Sequence, residues 1–295
     1  MNILNNSKNY EEQAFLLANR IIVPGQEISQ VAQQIGVKTL GMMELMNGDQ
    51  EYHNAPHSIE FVEEALDIYQ AIQAFVPEEY QEDMPTILFL TGLAHDLFND
   101  EHESAKYIKR MILTYGDEKL KSSSVLSRIG APIVGTTVEI QDNTVVQTHI
   151  GNGVSDPAIQ ISGWADINQI PRKGDGKMIK DALNLGAEIN GGNPTTKQVV
   201  DMFKLQPKFL ADLLDESIQI PNLEFYYPGK AHEVYDILRG MHKEATQSAS
   251  NLAKVIDDNP DKVEAAVEHM FSVNNGAVLL GREGVKLVID ELKEN

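Results

Sequence analysis

The chain contains no cysteine. Disulfides and thiolate metal sites are therefore excluded, and any bound metal must use nitrogen and oxygen donors. Aromatic residues are few, 6% of the 295 residues with a single Trp. The core must then be mostly Leu, Ile, Val, Ala and Met, a composition suited to helix-on-helix packing. Positive charge is also scarce: 24 Lys and Arg stand against 44 Asp and Glu, a formal net charge of −20. Such a surface repels phosphate backbones and anionic membranes, which disfavours extended nucleic acid as a partner. It still permits a small nucleotide, because a metal and a few local cations can reverse the field in one pocket. No apolar run approaches about 20 residues, so no membrane span is expected. The first residues, Met1 to Lys8, lack the charged-then-apolar form of a secretory signal. The simplest reading is a soluble cytoplasmic protein. What the chain does have is 42% hydrophobic residues, enough for a substantial core in one large domain or two modest ones.

Helical periodicity dominates. Residues 9–23 place Ala14, Leu17, Ile21 and Ile22 on one face before Pro24-Gly25. Residues 56–75 repeat apolar side chains every three or four positions from Ile59 to Phe75, with Pro56 suited to the first helical turn. Residues 84–98 are apolar nearly all round, which predicts a central buried helix. Further helices are expected at 104–115, 117–128, 131–140, 157–170, 195–217, 229–257, 260–272 and 276–293. Asn193 is expected to cap the helix that follows Pro194. The β-branched run Thr136–Ile140 also admits a strand, and the polar, Gly- and Asn-rich stretch 141–156 is expected to be a loop. The fold class is therefore all-α. A helical extension (1–40) precedes a catalytic core (41–190), and a helical region (191–295) follows.

Two segments carry chemistry. Tyr52-His53-Asn54-Ala55-Pro56-His57 offers two imidazoles, and His95-Asp96 sits in the apolar stretch. An ionised Asp in apolar surroundings is costly unless it is paired or bound to a metal. If the segments converge, His57, His95 and Asp96 hold a divalent ion. A fourth ligand could be Asp156 or Asp166. Asp166 is preferred, since it lies within an apolar helical run and Asp156 in a polar loop. With Pro56 at the first helical position, His53 falls just before the helix, over its mouth. Lys106, Lys109 and Arg110 are candidates for holding a phosphate. His149, His232, His242 and His269 are read as ordinary surface or interface residues, and Tyr226-Tyr227 as packing.

The pattern resembles the HD-domain superfamily of metal-dependent phosphohydrolases. The Tyr-His-Asn-x-x-His form is similar to the variant shared with cyclic-nucleotide phosphodiesterase-like HD proteins. The resemblance covers roughly residues 50–170 and implies an HD helical bundle. It implies His57, His95, Asp96 and Asp166 as metal ligands, and His53 as proton donor to the leaving oxygen, with Asp96 also in the catalytic set. The cyclic-nucleotide enzymes carry a further His soon after the His-Asp pair; here Asp100 and His102 occupy that stretch and, with Lys106, are candidates for substrate or a second metal. The implied activity is hydrolysis of a phosphoester of a nucleotide or other small phosphorylated metabolite by metal-activated water. The implied cofactor is one or two ions of Zn, Mn, Mg, Fe, Ni or Co. Two other functions are kept open: an HD-fold nucleotide-binding regulatory protein without turnover, and a di-iron oxygenase on the same fold drawing on His102 and His149. Homo-oligomerisation is compatible with all three.

Overall fold

The computed structural model describes residues 3–20, 27–47, 50, 52–141, 144–147 and 153–293. The chain is all-α apart from one hairpin. The helices are α1 (Ile3–Ala18), α2 (Gln30–Asn47), α3 (Ala55–Ile72), α4 (Glu78–Gln81), α5 (Met84–Ala94), α6 (Glu101–Tyr115), α7 (Glu118–Ser122), α8 (Val125–Arg128) and α9 (Gly130–Val134). The strands β1 (Val138–Gln141) and β2 (Thr144–Gln147) follow, paired antiparallel with Val138 opposite Gln147. The remainder is α10 (Pro157–Asn168), α11 (Asp175–Ile189), α12 (Thr196–Ser217), α13 (Ile220–Tyr226), α14 (Ala231–Asp258), α15 (Pro260–Val273) and α16 (Gly281–Lys293).

Two compact units result. One comprises Met1–Asp49, His53–Asp166 and Ser217–Gly240; the other comprises Gln50–Tyr52, Ile167–Glu216 and Met241–Asn295. They are discontinuous in sequence and differ in kind from the linear segments 1–40, 41–190 and 191–295.

The first unit is built around α5. All its residues are buried, so it has no polar face to offer water. It packs against α2, α3, α6, α8 and α9. Each fully buried Leu, Ile, Phe or Met contributes about 1.5–3 kcal/mol, which explains why an 11-residue helix is held without an amphipathic pattern of its own. Close approach depends on two glycines. A Cβ on Gly92 of α5 would lie 2.5 Å from Val62 Cγ2, and one on Gly36 of α2 would lie 2.4 Å from Phe89 Cε1. Tyr226 and Tyr227 are packing residues, both buried, with Tyr227 Oη donating to Gln160 Oε1 at 2.7 Å.

In the second unit α16 packs against α11 and α15. α12 begins later than Asn193. Thr195 Oγ1 accepts from Gln198 N at 3.3 Å while Gln198 Oε1 accepts from Thr195 N at 2.7 Å. This reciprocal capping box outcompetes Asn193 as the helix start. His242 is not a surface residue: it is buried, and burial together with the Arg172 charge drives its pKa down to about 3, so it is neutral.

Elsewhere α1 ends at Ala18, and Ile21, Ile22 and Pro24-Gly25 lie outside the described residues. The stretch 141–156, expected as a loop, contributes β2. Helices α2, α11 and α13 were not foreseen. Among the described residues, no helix is long and apolar enough to cross a membrane.

Candidate metal centre

Three helix ends bring the candidate ligands together in the first unit. At the start of α3, Asn54 is the N-cap, with extended backbone (φ −138°, ψ 176°), and its Oδ1 accepts from His57 N at 3.3 Å. Pro56 consequently occupies the second helical position rather than the first, where its missing N–H still costs nothing. His57 stands on the first turn, and His53 lies one residue outside the cap.

The apolar run 84–98 does not stay helical to its end. α5 stops at Ala94, and His95 is its C-cap, its N–H still bonded to Thr91 O at 2.9 Å. Leu97 N then bonds to Ala94 O in a tighter turn, and Asn47 Nδ2 of α2 donates to Asp96 O at 2.9 Å. Asn47 thus satisfies a carbonyl that the helix abandons. This turn, rather than a continuous helix, lets adjacent His95 and Asp96 aim at one point. Asp166 comes from the third turn of α10.

The contacts are short. Asp96 Oδ2 lies 2.9 Å from His95 Nε2 and 3.1 Å from His57 Nε2. Asp166 Oδ1 lies 3.4 Å from His57 Nε2 and 3.6 Å from His95 Nε2. The two Nε2 atoms are 3.3 Å apart. With metal–ligand bonds of about 2.0–2.2 Å, neighbouring donors are separated by about 2.8–3.1 Å in an octahedron and about 3.3–3.6 Å in a tetrahedron. The observed separations span these two ranges, so the N/O set fits one divalent ion. His57, His95 and Asp96 form the tightest group, which could hold a metal ion.

The tautomer of His95 agrees. Its Nδ1 is 3.0 Å from Gly92 O, a carbonyl that can only accept, so Nδ1 carries hydrogen. In the neutral ring this leaves the Nε2 lone pair facing the other donors, the arrangement in which a backbone carbonyl orients a ligating imidazole. The Phe61 ring, 4.4 Å from the His95 centroid and tilted by 33°, holds the plane.

Protons and a cation compete for the same place. Burial pushes both imidazoles toward the neutral form, yet the carboxylates prevail. Hydrogen bonds to Asp166 and Asp96 lift His57 to about 9. The charge of Asp96, with hydrogen bonds to both carboxylates, lifts His95 to about 10. Burial opposes ionisation of Asp96 and Asp166 in turn. The charges of His95 and His53, with hydrogen bonds from His57 and His95, still hold Asp96 well below the ordinary carboxylate range. Asp166 is lowered by hydrogen bonds from His57 and His95. The imidazoles are 3% and 0% exposed, whereas Asp96 and Asp166 are 17% and 21% exposed, so the centre opens on its carboxylate side.

His53 stands beside the centre, its ring 6.0 Å from that of His57 and edge-on to it, and its charge bears on Asp96. Asp156, the other candidate for fourth ligand, is engaged elsewhere: it takes a bidentate pair from Arg128 at 2.7 and 2.9 Å, and also caps α10 through Ala158 N at 2.9 Å. Asp100 is the N-cap of α6, accepting from His102 N at 2.8 Å. His102, Lys106 and Arg110 are exposed, and Lys106 pairs with Glu103 at 2.6 Å. His149 lies outside the described residues. One acid near the centre belongs to no motif. Glu101, first residue of α6, is half-buried, and burial followed by the charge of Asp96 raises its pKa. Its spacing to Ala105, Ile108 and Ile112 is the only signal in the sequence that it faces inward. Comparison with protein-family models, with curated proteins and with solved structures gave no match.

Proposed function

We propose that the chain is a metal-dependent phosphohydrolase of the HD type, acting on a nucleotide or another small phosphate ester. The observation that carries this reading is the convergence of His57, His95, Asp96 and Asp166 at the separations expected around one ion. Two imidazoles with two carboxylates favour Zn, Mn, Fe, Ni or Co over Mg. A divalent ion held there lowers the pKa of bound water toward neutrality and polarises a phosphoryl oxygen.

The chain's own residues supply the rest. The four ligands form a floor of buried imidazole with carboxylate at the rim, so substrate approaches from the rim. His53, outside the ligand set but within a ring's width of His57, is placed to give a proton to the leaving oxygen. The net charge of −20 weighs against long polyanions and leaves a small ester as the substrate class.

The test is hydrolysis of a panel of phosphomonoesters, phosphodiesters and nucleotides by protein loaded with Mn²⁺. The His95→Ala/Asp96→Ala protein serves as background. The expected result is turnover of at least one ester that the double variant loses; turnover surviving in that variant removes the proposal. One observation favours a nucleotide sensor without turnover: Lys106, a candidate phosphate clamp, is committed to Glu103. Tight nucleotide binding with bound metal and no hydrolysis across the panel would select it. A di-iron oxygenase needs further histidine ligands, and His102 sits on the exposed side of α6; a single redox-inert ion by metal analysis would remove that reading.

A further inference from the structure

Glu101 is an acid in the wrong place for an ordinary surface residue. It shares a face of α6 with Ala105, Ile108 and Ile112, at spacings of four, three and four, and those three are 7%, 0% and 0% exposed. A carboxylate at the top of that apolar stripe points where the helix packs, not where it meets water. Its oxygens accept hydrogen bonds from the Thr137 side chain and from the Glu101 backbone N–H. The charges that act on it are those of Asp96 and His95. The other elements packed against α6 bring none: α5 and α9 have no titratable side chain, Lys38 of α2 lies over the Tyr115 ring, and Lys109 reaches Gly130. Glu101 therefore faces the centre without belonging to the ligand group.

We propose that Glu101 is a catalytic residue of this centre, the proton acceptor for the attacking water. The inference rests on the hydrolase reading above. The water oxygen bonds to phosphorus as the phosphorus–oxygen bond to the leaving group breaks. The water's proton passes to the Glu101 carboxylate, and His53 gives the leaving oxygen its proton. Asp96 and Asp166 cannot take the first role while they serve as ligands, and His53 cannot take both. Glu101 is the remaining base in the field of the centre. Burial and the neighbouring Asp96 raise its proton affinity, which brings a carboxylate nearer to what a base at neutral pH requires. Thr137 holds the carboxylate and keeps that affinity from rising further.

The test compares Mn²⁺-loaded wild type with Glu101→Gln and Thr137→Val, reading kcat against pH, Mn²⁺ affinity by calorimetry, and the carboxyl ¹³C titration of Glu101 in metal-free protein. Glu101→Gln keeps the shape and the hydrogen bond from Thr137. It should lower kcat by about 10²–10⁴-fold and abolish the acid limb of the profile, with Mn²⁺ affinity within about threefold. Thr137→Val should shift both the acid limb and the ¹³C titration to higher pH, because the lost hydrogen bond had lowered the pKa. Retained kcat or a retained acid limb in Glu101→Gln overturns the proposal, as does a large loss of Mn²⁺ affinity, which would make Glu101 a ligand. Should Glu101→Gln fail to fold, an acid limb unmoved in Thr137→Val overturns it equally. Wild type that binds Mn²⁺ but hydrolyses nothing instead overturns the hydrolase reading, and the base role with it.

Discussion

Loading the centre with a divalent cation should expel protons, in a number set by its histidines. In the metal-free protein His57 and His95 stand at about 9 and about 10, so at pH 7 both imidazoles are protonated opposite two ionised carboxylates. A cation uses an imidazole only through a nitrogen lone pair, so each ligating histidine must release a proton. Exchanging two protons for one dication leaves the charge of the four groups unchanged at zero. At pH 7 the exchange must overcome about two pH units for His57 and about three for His95. That lowers the apparent affinity by about five orders of magnitude, on the order of 7 kcal/mol. Geometry tempers this figure. The two Nε2 atoms are 3.3 Å apart, and two N–H groups aimed at each other repel, so the pair titrates as a unit and gives up its first proton more readily. The release should lie between one and two protons per ion.

Calorimetric titration with Mn²⁺ in buffers of different ionisation enthalpy counts these protons directly. Between about pH 7 and 9 the logarithm of the apparent affinity should rise by about one to two per pH unit, and flatten above about 10. Affinity independent of pH, or release of less than about half a proton per ion, would refute the reasoning, since it would mean the imidazoles are already neutral or do not ligate. Stability follows with the opposite sign. Raised histidine pKa values support the metal-free fold fully below the ordinary 6.5, and that support fades as pH rises through about 9 and about 10. The metal-free protein should therefore melt at progressively lower temperature across that window, while saturating cation removes the decline.

Gly92→Ala should act on both fold and centre. The new Cβ would meet Val62 Cγ2 at 2.5 Å, Phe61 Cδ1 at 2.6 Å and the Val62 backbone nitrogen at 3.2 Å, forcing apart α3 and α5, which carry His57 and His95. A loss of about 1–3 kcal/mol is expected in chemical denaturation, with weaker Mn²⁺ binding; unchanged values for both would contradict the close crossing. Asp156→Asn should cost about 3–5 kcal/mol, because Arg128 loses its partner where the two side chains are only 12% and 6% exposed. Mn²⁺ affinity of the folded variant should be unaltered, and a loss there would make Asp156 a ligand after all.

How far the sequence could be read depended on how local each cause was. Imidazole and carboxylate in an apolar stretch admit few explanations, so His57, His95 and Asp96 were legible together. Asp166 was separable from Asp156 only by context, and the decisive fact, Arg128, is 28 residues from Asp156. The end of α5 was not legible because apolarity continues through Leu97 and Phe98 without Gly or Pro; the turn depends on Asn47, a distant side chain. α2 escaped because its buried face includes Gln33, Gly36, Thr39 and Asn47, and α11 because Asp181 and Asn184 are buried among Met178, Ala182 and Leu183. In both, polar residues interrupt the apolar stripe on which helix reading relies. β1 was signalled by its β-branched residues, whereas β2 is embedded among residues that signal turns.

The Tyr-His-Asn-x-x-His spacing is as much a helix start as a ligand motif, and that dual role bears on function. Asn54 caps α3 through His57 N, three residues on, so the cap itself fixes where His57 begins. The extended backbone at Asn54 turns His53 off the helix face. The i, i+4 relation therefore yields one ligand and one neighbour at 6.0 Å, rather than two ligands. His95 occupies the opposite kind of position, the C-terminal end of α5. A helix C-terminus favours a cation and a helix N-terminus favours an anion, each by about 0.3–1 kcal/mol. The centre thus joins a cation-favouring end to an anion-favouring one. Such a pairing suits a metal ion that must share its site with a phosphate, and offers nothing to an uncharged substrate.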